Sequence, residues 1–196
     1  MLYNPGPMGM LREHIIGVDP GLKVTGYGVI LRAAGELALA EGGLIRTEAA
    51  APLEERLRQL HSGLRQVLAS FPPQVVVVED LYSQYAHPRT AILMGHARGV
   101  VYLAAAEAGA EVVAYPPALV KRSLTGNGRA PKEQVGRMVA QLLRLRELPR
   151  PEDVTDALAL ALCHCVPSRE RAGRRPGRRR GLPAAIAELV REASPG

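Results

Sequence analysis

From His14 the chain reads HIIGVDPGLKVTGYGVIL: an apolar block closes on Asp19, Pro20-Gly21 supplies a turn, and a second apolar block resumes near Tyr27. That pattern predicts a β-hairpin. Residues 37–47, LALAEGGLIRT, offer a third strand, in which Gly42-Gly43 predicts a bulge or sharp twist. Three successive strands predict an antiparallel meander. The spacing then lengthens: Leu53, Leu57, Leu60, Leu64, Val67 and Leu68 recur at helical intervals with charges between them, predicting an amphipathic helix over residues 53–69. Pro72-Pro73 ends it, and the β-branched run from Val75 to Val78, closing on Glu79, predicts a strand buried on both faces.

After a polar loop at residues 83–88, the pattern predicts a helix over residues 89–108 and a strand over Glu111 to Tyr115. Pro116-Pro117 opens a helix running through Leu124. Gly126 and Gly128 mark a loop, residues 131–145 form a further helix, and a proline-rich break leads into a last helix from Glu152 to Cys165. The alternation predicts an α/β domain. No internal repeat is present.

Composition refines this picture in two places. With 196 residues and 47% hydrophobic content, the expectation is one domain over residues 14–167, preceded by a leader (1–13) and followed by a tail (168–196). The formal net charge is +6, and residues 168–180 (SRERAGRRPGRRR) hold seven Arg and one Glu, 7 − 1 = +6, so the rest of the chain sums to zero. The basic excess is a tail, read either as an arm attracted to nucleic acid or as a solvated extension. The two cysteines, Cys163 and Cys165, sit in an apolar run and are expected to be core thiols in an intracellular protein, not a disulfide framework. The start of the chain has no long apolar core, which argues against a signal peptide or membrane span.

The chemistry lies in the acids. Asp19 and Glu79 each end an apolar strand, and if those strands are neighbours their carboxylates meet at one end of the sheet. Asp153 and Asp156, three apart at the start of a helix, share one face. Four converging carboxylates repel one another and resist burial, so such a set implies bound cations, and oxygen ligands favour two Mg²⁺, with Mn²⁺ as the alternative. A pair of such ions would activate water and stabilise the leaving oxygen in phosphodiester hydrolysis. Each acid alone also has a plain structural role, as a turn former at Asp19 or a complement to the helix dipole at Asp153 and Asp156.

The segment GVDPG (Gly17 to Gly21), followed by Gly26 and Gly28, resembles the opening hairpin of the ribonuclease H-like superfamily and of actin-like ATPases; the latter need a larger, two-lobed chain. VVVVEDLY, then GHARG (Gly95 to Gly99), then LVKRSLTGNGRAPKEQV (Leu119 to Val135), then PEDVTDALALALCH closely resemble the RuvC Holliday-junction resolvases, in order and register from Ile15 to Val166. The resemblance implies a mixed five-stranded sheet flanked by helices on both faces, with Asp19, Glu79, Asp153 and Asp156 as catalytic metal ligands. It further implies a homodimer that makes paired incisions in a four-way DNA junction during recombination and repair. RuvA and RuvB branch-migration proteins are the implied partners, and the bacterial cytoplasm and nucleoid the implied location. Lys121 and Lys132 match lysines near the family's active site and are expected to hold phosphates or steady developing charge. Tyr82, where the family commonly has Phe, is expected to stack on an unpaired base. Arg122 and Arg129 are read as phosphate contacts or surface charge, and Asp80 as pointing to the face opposite Glu79. Gly95, Ala97 and Gly99 permit close helix packing, in a dimer or within the domain. A ribonuclease H-like nuclease acting on RNA–DNA hybrid, or a non-catalytic junction-binding module, are the rival readings.

Overall fold

The computed structural model describes residues 12–80 and 88–166. The expected element order is met: strands β1 (Glu13–Asp19), β2 (Val24–Ala33) and β3 (Glu36–Arg46), helix α1 (Leu53–Ser70), strand β4 (Pro73–Glu79), helix α2 (Pro88–Glu107), strand β5 (Glu111–Tyr115), then helices α3 (Pro117–Thr125), α4 (Lys132–Leu142) and α5 (Glu152–Cys165). The strands form one mixed sheet in the order β3-β2-β1-β4-β5. β1, β2 and β3 pair antiparallel, while β4 runs parallel to both β1 and β5. The described residues fall in a single unit, Met1–Val166.

Strand parity divides the core. Ile15, Ile30, Val77 and Tyr115 point to one face, beneath α3, α4 and α5, whereas Ile16, Val18, Val29, Val76 and Val78 point to the other, beneath α1 and α2. The amphipathic period of α1 is satisfied by burying Leu60, Leu64 and Leu68. By contrast α5 is buried along most of its length, including Leu158, Leu160, Leu162 and Cys163, because it lies between the sheet and the helices α3 and α4.

The seating of α5 depends on a row of glycines that crosses three strands. Gly17 on β1 pairs with Gly28 on β2, which pairs with Gly42 on β3. A methyl group at Gly17 would collide with the Ala157 carbonyl, one at Gly28 would come within 2.5 Å of Leu158, and one at Gly42 within 2.9 Å of Val154. The row forms a trough into which α5 sinks until its backbone touches the sheet.

This corrects one expectation. The irregularity in β3 is not at Gly42-Gly43: Val29 pairs with Glu41 and Ile30 with Leu39, so the extra residue is Ala40. The glycine pair instead makes room, Gly42 for α5 and Gly43 for the Tyr27 ring. Two boundaries also move. β1 begins at Glu13, inside the expected leader, where Glu13 pairs with Arg32. α4 stops at Leu142, short of the expected 145, because Arg144 takes a positive φ of 54° and breaks the helix.

Candidate active site

Asp19 and Glu79 are the last residues of β1 and β4, which are paired neighbours at the centre of the sheet. Both follow the parity of Ile15 and Val77, so both carboxylates leave the sheet on the α5 face. The turn after Asp19 is pinned by Thr25, whose hydroxyl donates to the Gly21 carbonyl at 2.7 Å and accepts from the Gly21 N–H at 3.1 Å. Thr47 adds a hydroxyl bond to the Leu22 carbonyl at 2.5 Å. These bonds fix the backbone that carries Asp19, and residue spacing along the chain gives no sign of them.

The glycine trough brings the other two acids in. Gly26 pairs with Asp19 across the hairpin, and Asp153 packs its main chain and Cβ directly on Gly26. Asp156, one turn further along α5, reaches a cavity of about 290 Å³ that is also lined by Asp19, Glu79, Lys121 and Lys132. Asp153 does not line that cavity; it flanks the Asp19 side.

The electrostatics follow from this layout. The Asp19 carboxyl is pushed up from 3.8 to about 7, first by burial and then by the negative charges of Asp156, Glu79 and Asp153, with Lys132 opposing. Glu79 is also raised, by burial and then by Asp156, against the lowering effects of Lys132, Lys121 and Arg98. Asp156 lines the cavity with both, and after burial its charge is the first cause raising each. Lys132 donates to Asp156 at 2.8 Å and lies 3.8 Å from Glu152, and its hydrogen bond to Asp156 holds its own pKa above the ordinary lysine value.

Burial and mutual repulsion of these acids favour a cation among them, and their donor atoms are all oxygen, which suits Mg²⁺ or Mn²⁺. Among the described residues, no three acidic, His or Cys side chains are drawn in to the spacing of a metal-ligand group. Asp156 is engaged by Lys132 in place of its acidic neighbours. The oxygen donors of these residues fit a divalent cation in kind, and Lys132 lies against Asp156 among them.

The remaining expected residues divide. Lys121, on α3, lines the cavity beside Glu79. Arg122 and Arg129 are exposed and do not line it; the Arg122 guanidinium lies over Gly128 in the α3–α4 loop. Tyr82 lies outside the described residues. Asp80 sits on the α1/α2 face, its carboxylate 3.5 Å from Arg98. Cys163 is buried and Cys165 half-buried, both without a disulfide. On α2, Ala97 is buried against the sheet, whereas a methyl group added at Gly95 or Gly99 would meet nothing within 4 Å among the described residues. No helix among the described residues is long and apolar enough to cross a membrane.

Arg98 was not singled out from the sequence, although it lies inside GHARG. Its side chain, only 11% exposed, donates to the Glu79 carbonyl, to Asp80 and, at 2.7 Å, to the Tyr102 hydroxyl. A lone arginine between small residues on a helix carries no signal of a partner at the end of a strand.

The chain as a whole is similar to known proteins. A family model described as crossover junction endodeoxyribonuclease RuvC matches residues 15–164. A protein of that name from Rhodopirellula baltica is 51% identical over 149 residues, spanning 76% of this chain and 84% of its own. Another from Moorella thermoacetica is 43% identical over 166 residues, spanning 84% of this chain and 99% of its own. A Thermus thermophilus RuvC solved in complex with a Holliday junction substrate superposes with a TM-score of 0.74 at 39% identity, covering 79% of this chain and 93% of that one.

Proposed function

Because the chain belongs to the RuvC family of crossover junction endodeoxyribonucleases, we propose that it resolves four-way DNA junctions by paired, metal-dependent phosphodiester cuts during recombination and repair. The observation that carries this reading is the convergence of Asp19, Glu79 and Asp156 with Lys121 and Lys132 around one cavity at the end of the sheet. A carboxylate cluster flanked by lysines suits a phosphodiester whose reaction needs both bound cations and a hold on the phosphate.

Asp19, Glu79, Asp153 and Asp156 are the residues that would hold two Mg²⁺, or Mn²⁺ in its place. When bound, the cations supply Lewis acidity at the phosphate, a water of lowered pKa and a counter-charge for the departing 3′ oxygen. The protein's own part is positional. Asp19 and Glu79 are fixed by the sheet, and Asp153 and Asp156 by α5. Lys132, once released from Asp156, is within reach of a phosphate oxygen bound in the cavity, and Lys121 holds the Glu79 side. Tyr82, three residues beyond Glu79, is assigned to stacking on a base unpaired at the crossover.

A homodimer completes the reading, since two like strands must be cut and a two-fold assembly presents two like sites. The supporting feature is on α2, where Ile92 is 60% and Leu103 54% exposed beside the open Gly95 and Gly99. RuvA and RuvB are the proposed partners on the junction, and the bacterial nucleoid the proposed place of action.

The test is cleavage of an end-labelled synthetic four-way junction beside matched duplex and RNA–DNA hybrid, in Mg²⁺, in Mn²⁺ and in chelator. Paired nicks near the crossover that need metal and are absent from duplex and hybrid are expected. Cleavage of hybrid in preference to junction would overturn the substrate, and cleavage in chelator would overturn the metal.

A further inference from the structure

The end of β4 presents an open hydrogen-bonding position. Along a strand, the N–H and C=O of one residue point to the same side and those of the next residue to the other. The Asp80 N–H points to β5, donating to the Tyr115 carbonyl at 2.8 Å. The Glu79 carbonyl therefore points towards β1, whose pairing with β4 ends at Val18 and Val78. A half-buried carbonyl at that point lacks a ladder partner and is costly to leave bare.

Arg98 fills the position from α2. One guanidinium nitrogen donates to the Glu79 carbonyl; the other lies 3.5 Å from the Asp80 carboxylate and donates to the Tyr102 hydroxyl at 2.7 Å. The guanidinium carbon is 5.1 Å from the centre of the Tyr102 ring. A planar cation held at one end by a ring one helical turn away and at the other by two consecutive residues of the strand has little freedom to move.

We infer that Arg98, braced by Tyr102, is a positioning residue for Glu79: by gripping the Glu79 carbonyl and the Asp80 side chain it fixes the peptide plane that aims the Glu79 carboxylate into the Asp19–Asp156 cavity. The grip comes from the face of the sheet opposite the cavity, so Arg98 acts through the backbone and touches no substrate. The inference deepens the proposed nuclease reading and rests on Glu79 being a metal ligand.

The experiment compares wild type, Glu79→Gln, Arg98→Gln, Arg98→Lys and Tyr102→Phe in three measurements: kcat and KM on a synthetic junction at saturating Mg²⁺, Mn²⁺ affinity by electron paramagnetic resonance without DNA, and Tm. Misaiming one ligand by an ångström weakens the transition state more than substrate binding. Arg98→Gln is expected to lower kcat by about 10- to 100-fold and Mn²⁺ affinity by about fivefold, with KM changed less than about twofold. Arg98→Lys is expected to recover part of the loss, and Tyr102→Phe to lower kcat by about threefold.

Unchanged kcat and Mn²⁺ affinity in Arg98→Gln, with a lowered Tm, would reduce Arg98 to a structural role and overturn the inference. A rise in KM with kcat preserved would make it a DNA contact and overturn it equally. Should Arg98→Gln fail to fold, Tyr102→Phe decides, and wild-type metal affinity in that variant sinks the idea. If Glu79→Gln itself still cuts, the ligand assignment of the proposed function fails, a result separable from the others.

Discussion

At the scale of single residues, the burial of acids makes a prediction whose sign is fixed. Asp19 titrates at about 7 in the folded chain and at its ordinary 3.8 when unfolded. The folded state therefore binds this proton more tightly, and the stability it contributes is full below about pH 4 and lost as pH rises through 7. Glu79 is raised as well and adds in the same direction. Metal-free protein is expected to be less stable at pH 8 than at pH 5 on this account, and Asp19→Asn to stabilise it at pH 8 by about 1–3 kcal/mol while removing cleavage. Urea denaturation in chelator at the two pH values measures this; a variant less stable than wild type at pH 8 would contradict it. Adding Mg²⁺ is expected to stabilise wild type at pH 8 and not the variant. Glu79→Gln is expected to abolish cutting and leave junction binding in place, since the basic groups are untouched; equal loss of both would refute its role as a ligand. The acids were legible in the sequence because each stands at a break in an apolar pattern, Asp19 and Glu79 closing strands and Asp153 and Asp156 opening a helix. Arg98 and Thr25 were not, because what makes them matter is a partner on another element or an atom of the backbone.

At the scale of elements, the strands and helices were readable nearly to the residue, since period and proline punctuation are properties of the chain itself. The glycine row was not readable, because Gly17, Gly28 and Gly42 become neighbours only through the register of three strands. Read along the chain, Gly42-Gly43 suggested a bulge; read across the sheet, Gly42 is the floor under Val154. Gly17→Ala is expected to lower stability by about 3 kcal/mol or more, because the obstacle is the Ala157 backbone, which cannot swing aside as a side chain can. Gly28→Ala, facing the Leu158 side chain, is expected to cost less, about 1–3 kcal/mol. In both, cleavage is expected to fall further than stability alone explains, since α5 carries Asp153 and Asp156. Equal stability loss in the two variants, measured by denaturant unfolding, would show that α5 can lift off freely.

For the whole molecule, the two faces of the sheet have different tasks. The α5 face holds the acids, and the α1/α2 face holds Arg98 and the exposed apolar side of α2. If the proposed homodimer forms through α2, replacing Ile92 and Leu103 together by Glu is expected to turn a dimeric wild type into a monomer by sedimentation that no longer makes paired cuts, with little change in Tm. A dimeric double variant would move the contact elsewhere. The Arg-rich residues 168–180 lie outside the described residues, but their charge alone predicts an effect. Removing the chain beyond Pro167 is expected to weaken junction affinity and flatten its salt dependence; an unchanged salt slope would make the tail a bystander.

The seating of α5 in the glycine trough also has a consequence in time. Half of the acid cluster is delivered by residues 153 and 156, and they reach Asp19 only when α5 closes over strands made at the beginning of the chain. A chain still emerging from the ribosome before residue 152 lacks the helix that covers Ile15, Ile30 and Val77, and it carries Asp19 and Glu79 without Asp153 and Asp156. On the proposed ligand assignment, a chain that stops before α5 is expected not to cut DNA, which cleavage of a junction by a chain ending at residue 151 would contradict.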